Sequence, residues 1–211
     1  MTTAEAISLF KILQDKYASP HLTDGEILKF LNMAQYERLN RLIPDDMGGV
    51  TALEQDQNVL MNIRPFVYNL TGFTITAGFL SNSAVSAALV SKAGAGSELF
   101  RVLNINYDGK PAKFTRHNNI LREETNVFKQ GGQNIRKYVV LADGYQFYPS
   151  LTSAANSMTV VKKPFSITLN VNPEWDDYNM NLILMLALQL AGISTRDEEV
   201  IMDIRNTTTT K

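Results

Sequence analysis

The sequence contains no cysteine, and only two histidines, His21 and His117, among its 211 residues. Without cysteine there is no disulfide scaffold, no thiolate zinc site and no cysteine nucleophile. Such a chain is most simply made and folded in a cytoplasm. The two histidines stand far apart in sequence, which thins the supply of general bases and metal ligands. Charge is scarce as well: Asp, Glu, Lys and Arg make up 19%, below the usual quarter, so much of the surface is left to Asn, Ser and Thr or is covered by something else. Neither sign is in excess, with 20 Lys and Arg against 21 Asp and Glu and a net charge of -1. Taken whole, the chain lacks the positive surplus that phosphate-dominated nucleic-acid binding requires. Long apolar runs are missing too. The longest is Leu182 to Leu188, far short of the roughly 20 residues that span a bilayer, so no membrane crossing is expected. Met1–Lys16 mixes acidic and basic residues with its apolar ones, which does not suit a signal peptide.

What is present is a hydrophobic fraction of 45%, ordinary for a folded protein, and two kinds of pattern. Thr2 with Glu5, and Thr23 with Glu26, have capping-box spacing, so helices are expected after each, the first stopped by Ser19-Pro20 and the second by Ile43-Pro44. The short connection predicts a helical hairpin. Thr51 and Glu54 open a third helix running at most to Arg64-Pro65. From Phe66 to Thr76 the chain turns β-branched and aromatic, and Phe100 to Tyr107 reads as a strand ending at an Asp108-Gly109 turn. Residues 81–97 are small and give no clear period. Thr115 to Val127 reads as a short polar helix. Ile135–Leu141 and Tyr145–Tyr148 flank Asp143-Gly144, expected as a type I′ hairpin turn. Ser157–Lys163 supplies a further strand. Phe165, Ile167, Leu169 and Val171 alternate with polar residues as in a half-buried strand. Asn172-Pro173 is expected to open a last long helix that Gly192 ends, with a short helix at Thr195–Ile204 beyond it. The fold class is therefore α+β: an N-terminal helical hairpin and a long C-terminal helix packed with an antiparallel β meander. It is read as a single domain over 1–205, helical at about 1–64 and 173–205 and β-rich at about 66–171, with a flexible tail at 206–211.

Few residues invite a chemical reading. Glu174, Asp176 and Asp177 form an acidic cluster, but acids in a helix's first turn complement its positive end. Glu123-Glu124 and Glu198-Glu199 are adjacent, so each pair splits across a helix surface. Gly94-Ala95-Gly96 lacks the Gly-Lys-Ser/Thr ending of a phosphate loop. Tyr138, Tyr145, Phe147 and Tyr148 offer stacking rings, which in hairpins more often form cross-strand core pairs. No catalytic residue, cofactor or metal is expected. Seven apolar residues in succession, however, cover every face of a helix and call for a neighbour. This makes Leu182, Ile183, Met185 and Leu186 candidate subunit-interface residues. Thr207, Thr208 and Thr209 join them as an extended arm that borrows hydrogen bonds from an adjacent chain.

Taken in order, several segments resemble one family. They are Tyr17–Leu42 (YASPHLTDGEILKFLNMAQYERLNRL), Leu53–Phe66 (LEQDQNVLMNIRPF), Thr115–Arg122, the hairpin ending Tyr145-Gln146-Phe147-Tyr148-Pro149, Val160–Pro164 (VVKKP), and Asn172–Ile193 (NPEWDDYNMNLILMLALQLAGI). This series is similar to the head–tail connector, adaptor or neck-ring proteins of tailed bacteriophages, particularly crAss-like short-tailed phages. The resemblance implies a non-enzymatic virion protein, assembled in the host bacterial cytoplasm and copied as a cyclic, twelvefold ring in the neck. Its partners would be the portal and adjacent neck or tail proteins, with DNA passing through the lumen without sequence-specific binding. Alternatives of other kinds are a tail terminator or another minor virion protein, and a non-catalytic sugar- or protein-binding module that uses the hairpin aromatics.

Overall fold

The computed structural model describes residues 1–16, 21–43, 61–116, 119, 136–153 and 156–193. The chain divides into two compact units. One is continuous, Phe66–Lys163; the other is built from the flanking segments Met1–Pro65 and Pro164–Lys211.

The flanking unit is helical. Its helices are α1 (Thr3–Lys16) and α2 (Asp24–Leu42), with α4 (Asp177–Leu190) from the far end of the chain. Both capping boxes form. Thr2 N–H donates to Glu5 at 2.7 Å and Glu5 N–H to the Thr2 hydroxyl at 3.3 Å, and the Thr23–Glu26 pair repeats the arrangement. Helical spacing then aligns Ala6, Phe10 and Leu13 on α1, Ile27, Leu31 and Ala34 on α2, and Met180, Ile183, Leu184 and Ala187 on α4, all buried. The main partner of α2 is α4 rather than α1, so the expected N-terminal hairpin is subordinate to a packing of distant segments.

Two expectations fail in this unit. The last helix is neither long nor opened by Pro173. It has 14 residues and starts at an Asp176 N-cap, whose carboxylate accepts from Asn179 N–H. The preceding Glu174 is engaged elsewhere, accepting from Phe165 N–H at 3.0 Å. The alternating run 165–171 makes no strand ladder. Its backbone is held by side chains of α2: Asn32 accepts from Ile167 N–H and donates to Ile167 C=O, and Gln35 donates to Phe165 C=O. An amide side chain presents the same donor and acceptor as a neighbouring strand. Leu169 and Val171 are exposed, because the chain tightens into a Thr168–Val171 bridge.

The continuous unit is a seven-stranded, curled mixed sheet, which overturns the simple antiparallel meander. Its strands are β1 (Val67–Thr71), β2 (Phe79–Ser81), β3 (Leu99–Tyr107), β4 (Lys110–Phe114), β5 (Arg136–Val140), β6 (Gly144–Tyr148) and β7 (Ser157–Lys162), in the order β1-β7-β3-β4-β5-β6-β2. All neighbours are antiparallel except β4 and β5. Because β4 and β5 run in the same direction, no tight hairpin can join them. Helix α3 (Asn82–Ala93) occupies the stretch that had no readable period. It is capped by the Ser81 hydroxyl and buries Val85 and Leu89 against the sheet core of Leu70, Ile105, Tyr107, Phe147 and Val160. The Lys92 ammonium donates to the Asn69 carbonyl of edge strand β1 at 2.7 Å, which sets a charged side chain on a sheet edge.

The type I′ turn also lies elsewhere than expected. Asp108 and Gly109 have φ of 53° and 69° between paired Tyr107 and Lys110, the two positive φ values that this turn demands. Asp143-Gly144 is not such a turn; Gly144 already belongs to β6 and pairs with Ser81 of β2. The third helix, apart from its helical end at Met61–Ile63, falls outside the described residues, as do most of the 115–127 helix, the 195–204 helix and the tail.

Candidate functional site

In the helical unit, α4 divides the expected interface set. Ile183 is fully buried and Leu186 nearly so, both within the unit's own core. Leu182 and Met185 are half-buried on another side of the helix. Together with Tyr178, which is 58% exposed, they form one row, because positions 178, 182 and 185 are four and three residues apart. Thr207, Thr208 and Thr209 lie outside the described residues.

Beside this row is a polar knot. The Arg38 guanidinium donates twice to the Asn179 carbonyl oxygen, at 3.1 and 3.0 Å. The Asn179 amide donates to Asn62 and to the Asp176 carboxylate. The acidic cluster thus has separate structural uses: Glu174 holds Phe165, Asp176 caps α4, and Asp177 pairs with the N-terminal ammonium of Met1.

The sheet unit carries the densest polar group. The Tyr107 hydroxyl, at the end of β3, hydrogen-bonds Pro149 C=O and both backbone groups of Leu151. Next to it, buried Arg136 donates to Asp108 at 2.6 Å. Asn156 accepts from Asp108 N–H and donates to Ser153 C=O and Phe73 C=O. Tyrosine, arginine, aspartate and asparagine in one place invite a catalytic reading, but the bonds are those of a clasp. Each of these side chains holds the type I′ turn or the chain after the cis Tyr148–Pro149 bond. Burial pushes the Tyr107 hydroxyl upward, so it stays a neutral hydrogen-bonding group.

The other expected features are structural as well. Tyr145 and Phe147 are buried, and Tyr138 packs on both, with ring centroids 6.3 and 6.0 Å away. Those rings offer no stacking platform. Gly94 and Gly96 follow the C-terminus of α3, whose negative end is the wrong pole for phosphate. His21 is exposed, 3.5 Å from Asp15, and His117 falls outside the described residues. Among the described residues, no group of three or more His, Cys, Asp or Glu could hold a metal ion, and no helix is long and apolar enough to cross a membrane.

The buried rings give the sheet unit an alkaline limit. Desolvation pushes Tyr138 up to about 12 and Tyr145 upward as well. A tyrosine raised in the fold adds stability that is complete below the unfolded value near 10 and is lost as pH rises through the folded one. For Tyr138 the gap corresponds to about 2–3 kcal/mol. Absorbance at 295 nm should therefore show late-ionising tyrosines, their titration coinciding with unfolding between about pH 10 and 12. Full, reversible ionisation of every tyrosine in folded protein below pH 11 would contradict this packing.

No protein-family model matches this sequence, and no curated protein is similar to it.

Proposed function

We propose that this chain is a structural, non-enzymatic protein of a tailed-phage particle, copied as a ring in the neck between portal and tail, with DNA passing through the lumen. The observation that carries the reading is the row Tyr178, Leu182 and Met185. It is a partly exposed apolar strip on a helix whose opposite face is spent on the core, and such strips mark contact surfaces. The order of the segments from Tyr17 to Ile193, which resembles the neck-ring family, supports the same reading. So does the clasp around Tyr107, which uses the unit's most reactive-looking groups to hold backbone. The binding-module alternative has less to support it, since two of its four rings, Tyr145 and Phe147, are in the core and Tyr138 packs on them. On this reading the protein resides in the virion neck after synthesis in the host bacterial cytoplasm. Its partners are its own copies, the portal and the adjacent neck or tail proteins.

The test is the particle itself. Mass spectrometry of purified virions should find the chain, and cryo-electron microscopy should place it at the neck with rotational symmetry. A Leu182→Gln/Met185→Gln variant should stay folded, with Trp175 fluorescence unchanged, yet give few infectious particles. Virions that lack the chain, or normal yields from that variant, would end the reading.

A further inference from the structure

The run 165–171 alternates Phe, Ile, Leu and Val with Ser, Thr and Asn, the pattern of a strand with one buried face. It belongs to no ladder, and the amides of Asn32 and Gln35 take the place of a neighbouring strand. The seat is incomplete. Gln35 Oε1 is buried with no hydrogen-bond partner among the described residues, an acceptor left unmet at a cost. Leu169 and Val171 are 68% and 40% exposed. We infer that 165–171 is an exchangeable strand, which leaves α2 and adds to edge strand β1 of a second copy of this chain. The inference rests on the reading above that copies meet, and it names a pair of segments that join them.

The receiving edge matches the segment on both faces. Strand β1 ends the sheet order, so one side of it has no neighbouring strand. On its core face Tyr68 and Leu70 stand beside Val160 and Met158 of β7. On the other face Asn69 and Thr71 stand beside Thr159 and Ser157. A strand of period two laid along this edge continues both surfaces. Phe165, Ile167, Leu169 and Val171 extend the apolar one, and Ser166, Thr168 and Asn170 extend the amide and hydroxyl one. Neither segment carries a charge, and charge is what edge strands ordinarily use against pairing. The guard on this edge comes from α3 instead: Lys92 Nζ donates to Asn69 C=O at 2.7 Å and to the Thr71 hydroxyl at 3.5 Å. Lys92 is exposed and its charge rides on a flexible four-carbon stem, so it swings aside without moving backbone.

In hydrogen bonds the exchange is close to even. Side-chain bonds from Asn32, Gln35 and Lys92 give way to backbone bonds between strands, the mode of β-strand addition. Burial tips the balance: Leu169 and Val171 leave water on the receiving sheet, and Gln35 Oε1 gains water once the segment departs. A second β1 is the other occupant that this chain offers, but it lacks an unbroken alternation of apolar and polar residues. Contacts between a segment of one copy and an edge of the next join unlike surfaces, so they run head to tail and close into a cycle when the rotation permits.

The test uses full-length protein, whose lack of cysteine makes engineered thiols the sole targets of a short bis-maleimide. An Asn69→Cys chain is mixed with a Thr168→Cys chain, so a link from position 69 to position 168 forms only between copies, and peptide mass spectrometry identifies it. An Asn69→Cys chain mixed with Ser8→Cys, exposed on α1, is the control. The link from 69 to 168 should exceed the control at least about tenfold, because seated segments hold their thiols at a raised effective concentration. Lys92→Ala, added to the Asn69→Cys chain, should raise it further. Leu169→Pro, added to the Thr168→Cys chain, should lower it to the control level. Leu169 is the first central residue of the 168–171 turn, a place proline accepts, whereas within a sheet proline lacks the ladder donor. Far-UV circular dichroism and Trp175 fluorescence should be unchanged in each variant. The inference is overturned by a link no stronger than the control, by one that appears only once Lys92 is removed, or by one that Leu169→Pro leaves intact. A dominant link from 69 to 69 overturns it too, since β1 then pairs with its own counterpart. Failure here, with a neck ring still seen in virions, removes the strand exchange and keeps the ring; absence from virions removes the ring reading whatever the cross-links.

Discussion

Gly144→Ala is expected to destabilise the sheet unit by about 3 kcal/mol or more, the upper range for overpacking a well-filled site. The added Cβ would stand 2.2 Å from the Leu80 carbonyl oxygen and 3.0 Å from its carbon. Both are backbone atoms, and they belong to the strand that pairs with Gly144. Relief requires β2 to leave β6, which breaks the Leu80↔Tyr145 and Ser81↔Gly144 pairings. That shift also unseats buried Leu80 and disturbs the Ser81 cap of α3. Gly109→Ala is the control. A Cβ there meets nothing within 4 Å, and only its φ of 69° is unfavourable, a cost of roughly 1–2 kcal/mol. Urea denaturation followed by far-UV circular dichroism should rank the two in that order. Equal midpoints would mean that β2 is not seated as described.

Asn179→Ala is expected to cost the helical unit about 3 kcal/mol, since hydrogen bonds to charged groups contribute roughly 1.5–3 kcal/mol each and buried groups left unmet add to the loss. Asn179 is fully buried and joins Arg38, Asn62 and Asp176. Desolvation already lowers the Arg38 pKa, so the guanidinium depends on the contacts it has. Trp175, the single tryptophan and itself buried, reports on this unit by fluorescence. Arg38→Met/Asn179→Leu should recover part of the loss, because removing both partners leaves fewer groups unsatisfied. If the double variant is less stable than Asn179→Ala, the knot is not the source of the effect.

The features legible in the sequence were those whose causes lie within a few residues. Thr2–Glu5 and Thr23–Glu26 make their own hydrogen bonds, so their capping boxes could be read before any packing was known. Gly192, with φ of 78°, ends α4 for an equally local reason. The strands β1, β3, β5, β6 and β7 follow from β-branched and aromatic runs. Strand β4 was not legible, because Pro111 argues against a central strand. It is accommodated where β4 overlaps β3 only briefly, opposite Asn106. Helix α3 was hidden because its Ala and Ser residues show little contrast between faces. Asp108-Gly109 and Asp143-Gly144 are the same dipeptide in similar surroundings; which of them takes positive φ depends on the strand each one meets.

By itself, then, the sequence determined two capping boxes, most strands, the absence of thiol chemistry and the apolar run of the last helix. Only the tertiary structure decided that 165–171 is held by Asn32 and Gln35 instead of a strand, that β5 lies parallel to β4, and that Ile183 and Leu186 are buried while Leu182 and Met185 keep an open side. The physical reason is common to all of these: hydrogen bonds within one turn of chain depend on neighbours in sequence, whereas sheet order and helix partners depend on contacts between residues far apart along it.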